Sequence, residues 1–354
     1  MKMKSILFGV FAVIVNVAIA QEGDVFLIKP IVEGPEISAD QVKGLARFQA
    51  YRNWGISKIG LDSVKLRLSG KGASVCVCDT GNPSHQDLVG VVLESANFTT
   101  DQRTTDGNGH ATHVIGIIHE IAPDAEIYAA KVLTDKGSGS SSGVAQGIDW
   151  CAARKVTAIS MSLGSPSPSS AMESAIKRAT DAGILVVVAA GNSGAGSVDN
   201  IDYPGRYPET ITVGSVNSLL GVSAYSSSGP EGDIMAPGEK ILSNWLNNDF
   251  ILLSGTSMAT PFISGMAALY QEQEGNTYTF RSKLQQKAFD LLDPGFDRLS
   301  FWGLATTATF DIGSTPPDDP VPPAEGKTNW LAIGALAIAV VLLGLLIWNK
   351  YAKK

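Results

Sequence analysis

Ser257 is a candidate nucleophile, because it stands near the start of a small and apolar stretch that predicts a buried helix, in the segment GTSMATP. A serine attacks carbonyl groups only when a neighbouring base takes its proton and a third group orients that base. His110 lies where a glycine-rich loop leads into another apolar helix, and Asp79 directly follows an apolar strand. These three residue types predict acyl transfer, in which a carbonyl carbon is attacked and a leaving group departs.

A fourth candidate is Asn192, which follows an apolar strand in the segment AAGN. Its side-chain amide could donate hydrogen bonds to the charge that develops on a carbonyl oxygen under attack. Each candidate also has an ordinary structural interpretation, since Gly–Asn is a common turn and a serine often caps a helix. The chemical interpretation is favoured because all the required residue types occur together.

The other three histidines have different predicted environments. His85 lies in a polar loop and is predicted to be a solvated surface residue, whereas His119 is predicted to be a polar group at a helix end. His113 follows His110 at a spacing that would let both bind one metal ion, as in a metallopeptidase. The chain has no HExxH segment and no evident third ligand block, so we predict no metal site.

Short apolar strands alternate with helical patterns along the body of the chain. The strands are predicted at residues 73–78, 126–132, 156–162, 184–190 and 210–214, and helices at residues 142–154 and 169–182. This alternation predicts a three-layer, doubly wound α/β fold, with a mostly parallel sheet covered by helices on both faces. Functional groups of such sheets gather beyond the carboxyl ends of the strands, where Asp79 and Asn192 stand.

Taken in order, these segments resemble those of the subtilisin family of serine peptidases, the subtilases. CDTG at residues 78–81 resembles the family's aspartate block, and HATHV at residues 110–114 resembles its histidine block. AAGN at residues 189–192 resembles the oxyanion block, and GTSMATP at residues 255–261 resembles the serine block. The segment MSLG, which includes Ser162, resembles the one that lines the specificity pocket.

The resemblance implies a role for each candidate. Ser257 would attack the scissile carbonyl, His110 would take its proton and pass it to the leaving amine, and Asp79 would hold the tautomer of His110. Asn192 would share the oxyanion with the backbone N–H of Ser257, and His113 would pack beneath the site. An active serine endopeptidase is therefore expected. The alternative is an inactive peptide-binding module, which a missing catalytic residue would have favoured.

The same resemblance implies a substrate cleft. An extended peptide is expected to pair as a strand beside residues 137–140. An acid at the base of the specificity pocket would favour Lys or Arg before the scissile bond, but Asp202 could instead turn outward and pair with Arg206 or water. The residues predicted to bind substrate are Gly137, Ser138, Gly139, Ser162, Leu163, Gly164, Ala190, Gly191 and Asp202.

The chain departs from the family pattern at three places. Ala111 stands where a glycine usually follows the catalytic histidine. The connection at residues 118–124 is shorter than the family's calcium-binding loop, so we expect that metal site to be absent and predict no cofactor. The N-terminal extension at residues 21–50, a possible pro-segment, is shorter than the family's usual folding prodomain.

Both ends of the chain carry segments that are predicted to interact with a membrane. Residues 1–20 combine a basic start, an apolar run and a small-residue cleavage site, which is typical of a secretory signal peptide. Beyond a peptidase domain at residues 51–313, a Pro-rich spacer at residues 314–327 leads to an apolar stretch at residues 328–349, long enough for a transmembrane helix. The basic tail, residues 350–354, predicts a cytoplasmic C-terminus and an extracytoplasmic peptidase domain.

Charge and cysteine content limit the partners and the covalent framework. The formal net charge is −7, and the chain without its lysine-rich ends is more acidic still, which argues against nucleic acid as a partner. The expected partners are the peptide or protein substrates that the resemblance implies. Cys76 and Cys78 share one face of a strand and cannot readily pair with each other. We predict three small buried thiols, with a bridge from Cys151 to either strand cysteine as the alternative.

Overall fold

The computed structural model describes residues 24–28, 30–32, 53–194, 199–292 and 295–310. The chain divides into two compact units, Met1–Asp311 and Ile312–Lys354, and the described residues belong to the first. The predicted signal peptide, Pro-rich spacer, transmembrane helix and basic tail all lie outside the described residues. Within the described part, no helix combines the length and the apolar character needed to cross a membrane.

A seven-stranded parallel sheet forms the centre of this unit. Its strands are short, and six of the seven consist mostly of buried residues, as expected for a sheet covered on both faces. In spatial order they are β11 (Ile234–Pro237), β10 (Ile211–Val216), β9 (Leu185–Ala189), β7 (Ala158–Met161), β3 (Ser74–Asp79), β5 (Glu126–Lys131) and β4 (Val92–Asn97).

Helices form a layer on each face of this sheet. On one face α3 (His110–Ile121) packs against α6 (Thr256–Glu274), and on the other α4 (Ser141–Ala153) packs against α5 (Ser170–Asp181). Successive strand residues point to opposite layers, so Ile159 packs with α4 and α5 while Ser160 accepts a hydrogen bond from Ser264 of α6. The shorter helices are α1 (Trp54–Lys58), α2 (Leu61–Lys65) and α7 (Phe280–Gln286).

Local sequence explains where α4 and α5 begin and which face each one buries. Ser140 and Ser169 stand just before them, and their hydroxyls accept hydrogen bonds from backbone N–H groups of the first turn, as capping residues do. The buried residues of α5 recur at a helical spacing, so one face packs on the sheet while the other is solvated: Met172, Ala175, Ile176 and Ala179.

Two small antiparallel sheets flank the central one. The first contains β1 (Asp24–Leu27) between β6 (Ser138–Ser140) and β8 (Leu163–Gly164). The second contains β13 (Phe250–Ser254) between β12 (Ile241–Asn244) and β2 (Ile31–Val32). Both sheets therefore take one strand from the N-terminal extension of the chain.

The predicted fold class, a three-layer α/β unit around a mostly parallel sheet, is confirmed. All five predicted strands lie in the central sheet, but the third ends at Met161, and Leu163–Gly164 belong to a separate sheet. The sequence pattern missed β4 and β11, because β4 contains several polar residues and none of its residues is buried, and β11 is only four residues long.

The environments of two residues, His85 and Cys151, differ from the predicted ones. His85 is buried rather than solvated, with its ring edge-on to that of Phe250. Its Nδ1 accepts hydrogen bonds from the backbone N–H of Asp87 and the side chain of Asn244. Cys151 is not a free thiol but forms a disulfide with Cys76, so the bridge held as the alternative is the one that occurs. Cys78 remains a free, buried thiol.

Candidate active site

Asp79 and His110 meet where the carboxyl edge of the sheet faces the helix layer. Asp79 is the last residue of β3 and His110 is the first of α3. The two carboxylate oxygens of Asp79 lie 2.8 and 2.9 Å from His110 Nδ1, and Thr80 N–H donates to Asp79 Oδ1 at 2.7 Å. Because the carboxylate is an acceptor, Nδ1 carries the proton and Nε2 is the nitrogen that can act as a base.

Asp106 fixes the helix turn that carries His110. One of its carboxylate oxygens accepts from Thr112 N–H and Oγ1 at 2.8 and 2.7 Å. The other accepts from the backbone N–H groups of Asn108 and Gly109, each at 2.9 Å. Gly109 has a φ of +100°, a conformation that favours glycine, which lets the loop turn sharply into the helix at His110. The sequence interpretation assigned no role to Asp106, although it stands in the same segment as the histidine.

Ser257 is the second residue of α6, and Gly255, not Ser257, is the residue that caps this helix. A reciprocal pair of contacts ties it to the pocket segment. Ser162 Oγ donates to the carbonyl of Ser257 at 2.9 Å, and Ser257 Oγ lies 3.4 Å from the carbonyl of Ser162. The candidate nucleophile therefore lies at the N-terminal end of a long buried helix, where backbone N–H groups and the helix dipole favour negative charge.

The side-chain amide of Asn192 is oriented by Thr256, the residue before Ser257. Asn192 Oδ1 accepts from both the backbone N–H and the hydroxyl of Thr256, each at 3.0 Å. The same hydroxyl accepts from Gly191 N–H at 3.2 Å, so the two segments are joined at three points. Holding Oδ1 in this way directs the Nδ2 donors away from Thr256, as an oxyanion contact requires. Sequence reasoning missed Thr256.

A segment of the chain itself lies in the cleft in front of Ser257. This segment, residues 24–28 and 30–32, is called the strap below. Ser257 Oγ donates to the carbonyl oxygen of Ile28 at 3.0 Å. His110 Nε2 has no hydrogen-bond partner within the described part of the chain. The structure thus shows a peptide carbonyl of the chain itself held at the candidate nucleophile.

The predicted substrate-binding residues surround the strap. Phe26 pairs with Ser138 of β6 on one side and with Gly164 of β8 on the other. Leu27 N–H donates to the carbonyl of Gly137 at 2.9 Å. The remaining predicted positions lie along the same two strands or in the Gly191 segment: Gly139, Ser162, Leu163 and Ala190.

Asp202 faces into the predicted specificity pocket. A methyl group added to Gly164 would lie 3.1 Å from both Asp202 Oδ2 and Ile28 Cδ1, and one added to Gly191 would lie 2.7 Å from Asp202 Oδ2. Arg206 donates to the backbone carbonyls of Ile201 and Asp199. Burial raises the pKa of Asp202 to about 6, against the opposing charge of Arg206.

Comparison with known proteins gives consistent matches. The model of the subtilase family matches residues 70–303. The chain is 42% identical over 231 residues to M-protease of Shouchella clausii (strain KSM-K16), covering 62% of this chain and 60% of that protein. It is also 42% identical over 231 residues to Subtilisin Savinase of Lederbergia lenta, covering 62% of this chain and 84% of that protein. A thermostable alkaline protease of Halalkalibacterium halodurans is 39% identical over 281 residues, or 75% of this chain and 76% of that protein.

Proposed function

This chain belongs to the subtilase family of serine peptidases, and from that premise we propose that it is an active serine endopeptidase with Ser257 as its nucleophile. The observation that carries the proposal is the hydrogen-bonded Asp79–His110 pair, in a cleft where Ser257 Oγ meets a peptide carbonyl at 3.0 Å. An inactive peptide-binding module would be expected to lack at least one catalytic residue, whereas this chain has all four candidate residues.

In the proposed mechanism each of these residues has one role. Ser257 Oγ attacks the carbonyl carbon of the scissile bond while His110 Nε2 takes the hydroxyl proton. The amide of Asn192 and the backbone N–H of Ser257 stabilise the oxyanion, and His110 then protonates the leaving amine. Water, activated by the same histidine, hydrolyses the acyl-enzyme. Asp79 stays charged throughout and stabilises the imidazolium that forms on His110.

Replacing the nucleophile tests this function. Ser257→Ala should abolish hydrolysis of unstructured proteins such as casein, because no covalent intermediate can form. Ser264→Ala is the matched control, since Ser264 lies on the same buried helix and hydrogen-bonds Ser160 away from the cleft. Casein hydrolysis by the Ser257→Ala chain at the rate of the Ser264→Ala chain would refute the proposal.

Substrate preference is proposed to follow from Asp202. Its carboxylate lies between Gly164 and Gly191, where the side chain before the scissile bond would be bound. An ion pair in a site shielded from water is stronger than one in bulk solvent, so Lys and Arg should be accepted well there. Because the pKa of this carboxyl is raised to about 6, the preference should depend on pH.

The cellular location of the protein is proposed from the sequences of its two ends. A signal peptide at residues 1–20 would export the peptidase domain, residues 51–313, and the apolar stretch at residues 328–349 would anchor it in the membrane. The Pro-rich spacer at residues 314–327 would hold the domain away from the bilayer. The basic tail at residues 350–354 would remain cytoplasmic.

A further inference from the structure

A buried lysine lies beside the candidate acid–base pair, and the proposed mechanism does not use it. Lys131 is the last residue of β5 and the register partner of Asp79, the last residue of β3. It is 0% exposed. Lysine is rarely buried unless its charge is paired, because removing an ammonium group from water costs free energy. The contacts of Lys131 therefore show which segments of the chain meet around a cation at this position.

The ammonium group of Lys131 has three acceptors, each on a different segment. Nζ donates to the carbonyl oxygen of Thr80 at 2.5 Å and to Asp135 Oδ1 at 2.7 Å, and it lies 3.2 Å from Asp101 Oδ2. These acceptors match the three hydrogens that an ammonium group can donate. The hydrogen bond from Lys131 holds the pKa of Asp135 below its usual range, which keeps that carboxylate charged. One cation thus joins the residue after Asp79 to two other loops.

The contact with Thr80 fixes the backbone beside the candidate acid–base pair. Thr80 N–H donates to Asp79 Oδ1 at 2.7 Å. Its hydroxyl donates to Asp106 Oδ1 at 2.9 Å and accepts from the N–H of Ala111, in the first turn of α3, at 3.0 Å. Thr80 therefore contacts both the carboxylate and the helix turn that carries the base. Because Lys131 holds the carbonyl of Thr80, it constrains how these two parts of the site are placed.

The contact with Asp135 reaches both the loop before α3 and the turn before β6. Asp135 Oδ1 accepts from Gly107 N–H at 3.1 Å, and the Asp135 carbonyl accepts from Asn108 Nδ2 at 2.9 Å. Thr134, the preceding residue, donates its backbone N–H to the carbonyl of Ser138 at 2.8 Å, which closes the turn at the start of β6. The loop that leads to the base and the strand predicted to bind substrate are therefore held at one carboxylate.

We propose that Lys131 is a positioning residue, which fixes the Asp79–His110 pair relative to the substrate strand β6. The inference rests on the proposed function and deepens it, because Lys131 acts through its neighbours rather than on the substrate. Attack on a peptide bond requires the base and the bound peptide to be aligned, and a displacement of about 1 Å can reduce the rate by about a hundredfold. A peptide paired with β6 is aligned only if that strand keeps its place relative to His110.

The charge of Lys131 serves this arrangement more than it serves stability. In a buried ion pair the cost of removing the charges from water offsets most of their attraction. The side chains of Asp101 and Asp135 are 29% and 38% exposed, so water can solvate both carboxylates when the cation is removed. Lys131→Met, which fills the same space with an apolar side chain of similar length, should therefore fold while losing all three contacts.

Substrates of two lengths test this role in the full-length chain. Both carry the same residue before the scissile bond, but only the longer one extends far enough upstream to pair with β6. Lys131→Met should reduce the ratio of kcat/KM for the long substrate to that for the short one by at least about tenfold, because the strand and the base lose their common anchor. Lys177→Met is the matched control, since Lys177 pairs with Asp181 on the exposed face of α5, and it should keep the wild-type ratio.

A double variant separates positioning from stability, and it supplies the same comparison if the single variant does not fold. Adding Asp135→Asn to Lys131→Met removes a carboxylate that has lost its cation, so the melting temperature should rise above that of the single variant while the ratio stays low. Recovery of the wild-type ratio together with stability would overturn the inference, as would a wild-type ratio in folded Lys131→Met. Failure of every chain, including the wild type, to hydrolyse either substrate would overturn the proposed function itself.

Discussion

Pro261 changes the hydrogen bonding of the helix turn that carries Ser257. Proline has no N–H, so it cannot donate to the carbonyl four residues earlier, which belongs to Ser257. That carbonyl accepts from Ser162 Oγ instead. A feature that would weaken an ordinary helix thus leaves the carbonyl of Ser257, the proposed nucleophile, available to Ser162 of the segment predicted to line the specificity pocket.

Asp202, in the proposed specificity pocket, gives a second prediction about a single residue. Asp202→Asn should reduce the preference for Lys or Arg over Leu before the scissile bond by roughly tenfold, about 1.4 kcal/mol. In the parent enzyme the preference should rise between about pH 5 and 7, because a carboxyl whose pKa is about 6 is neutral below that pH and charged above it. Competition between matched peptides at several pH values measures both effects.

Asp199→Asn is the control for that experiment. Asp199 belongs to the same loop but pairs with Arg298 on the surface. It should leave the preference and its pH dependence unchanged. A preference for Leu that is the same at every pH, in both the parent and Asp202→Asn, would rule out an acidic pocket.

At the scale of elements, the disulfide joins the central strand β3 to the helix α4 that covers it. The bridge closes a loop of 75 residues, which restricts the unfolded chain more than the folded one. Cys78 lies beside the bridge, with its Sγ 3.6 Å from that of Cys151. Burial, helped by the charge of Asp79, raises the pKa of the Cys78 thiol, so it stays protonated and unreactive in the folded state.

Removing the bridge should cost stability without changing the cleft. The double variant Cys76→Ala, Cys151→Ala should lower the free energy of unfolding by about 2–4 kcal/mol, because the unfolded chain regains the freedom that the cross-link removed. Urea unfolding of the variant and of Cys78→Ala, which retains the bridge, measures the difference. A double variant as stable as Cys78→Ala would show that the bridge contributes little.

Sequence patterns predicted the secondary-structure elements better than the contacts that individual residues make between them. The central strands could be located because burial on both faces demands continuous apolar runs. The pairing of Cys151 with Cys76 rather than Cys78 could not be predicted. Both strand cysteines face α4, and the choice between them depends on where the helix crosses the strand. The burial of His85 was not predicted for a similar reason, because its hydrogen-bond partner Asn244 is distant in sequence.

At the scale of the whole molecule, the proposed function gives the peptidase domain and the two ends of the chain separate roles. Within the first 52 residues, only 24–28 and 30–32 are described, and they lie in the cleft. The sequence predicted a strand of substrate beside residues 137–140, but not that the chain would supply that strand itself. Periodicity is weak in a four-residue strand, and its partners are more than 100 residues away.

Truncation tests the proposed anchor. A chain that ends after Ser314 should appear in the soluble fraction and keep its activity, because the family match ends at residue 303 and the apolar stretch begins later. The full-length chain should sediment with membranes. Membrane association of the truncated chain would contradict a single C-terminal anchor.

The identity of the nucleophile is the most direct test of the account. Val25 is a fully buried residue of the strap, so Val25→Asp should displace the strap and expose Ser257. This variant is reacted with a fluorophosphonate, digested with a peptidase of known specificity, and analysed by mass spectrometry to locate the modified residue. The account predicts one phosphonylated residue, Ser257, and loss of that label when His110 is replaced by Ala. A label on any other serine, or an equal label at Ser257 without His110, would contradict it.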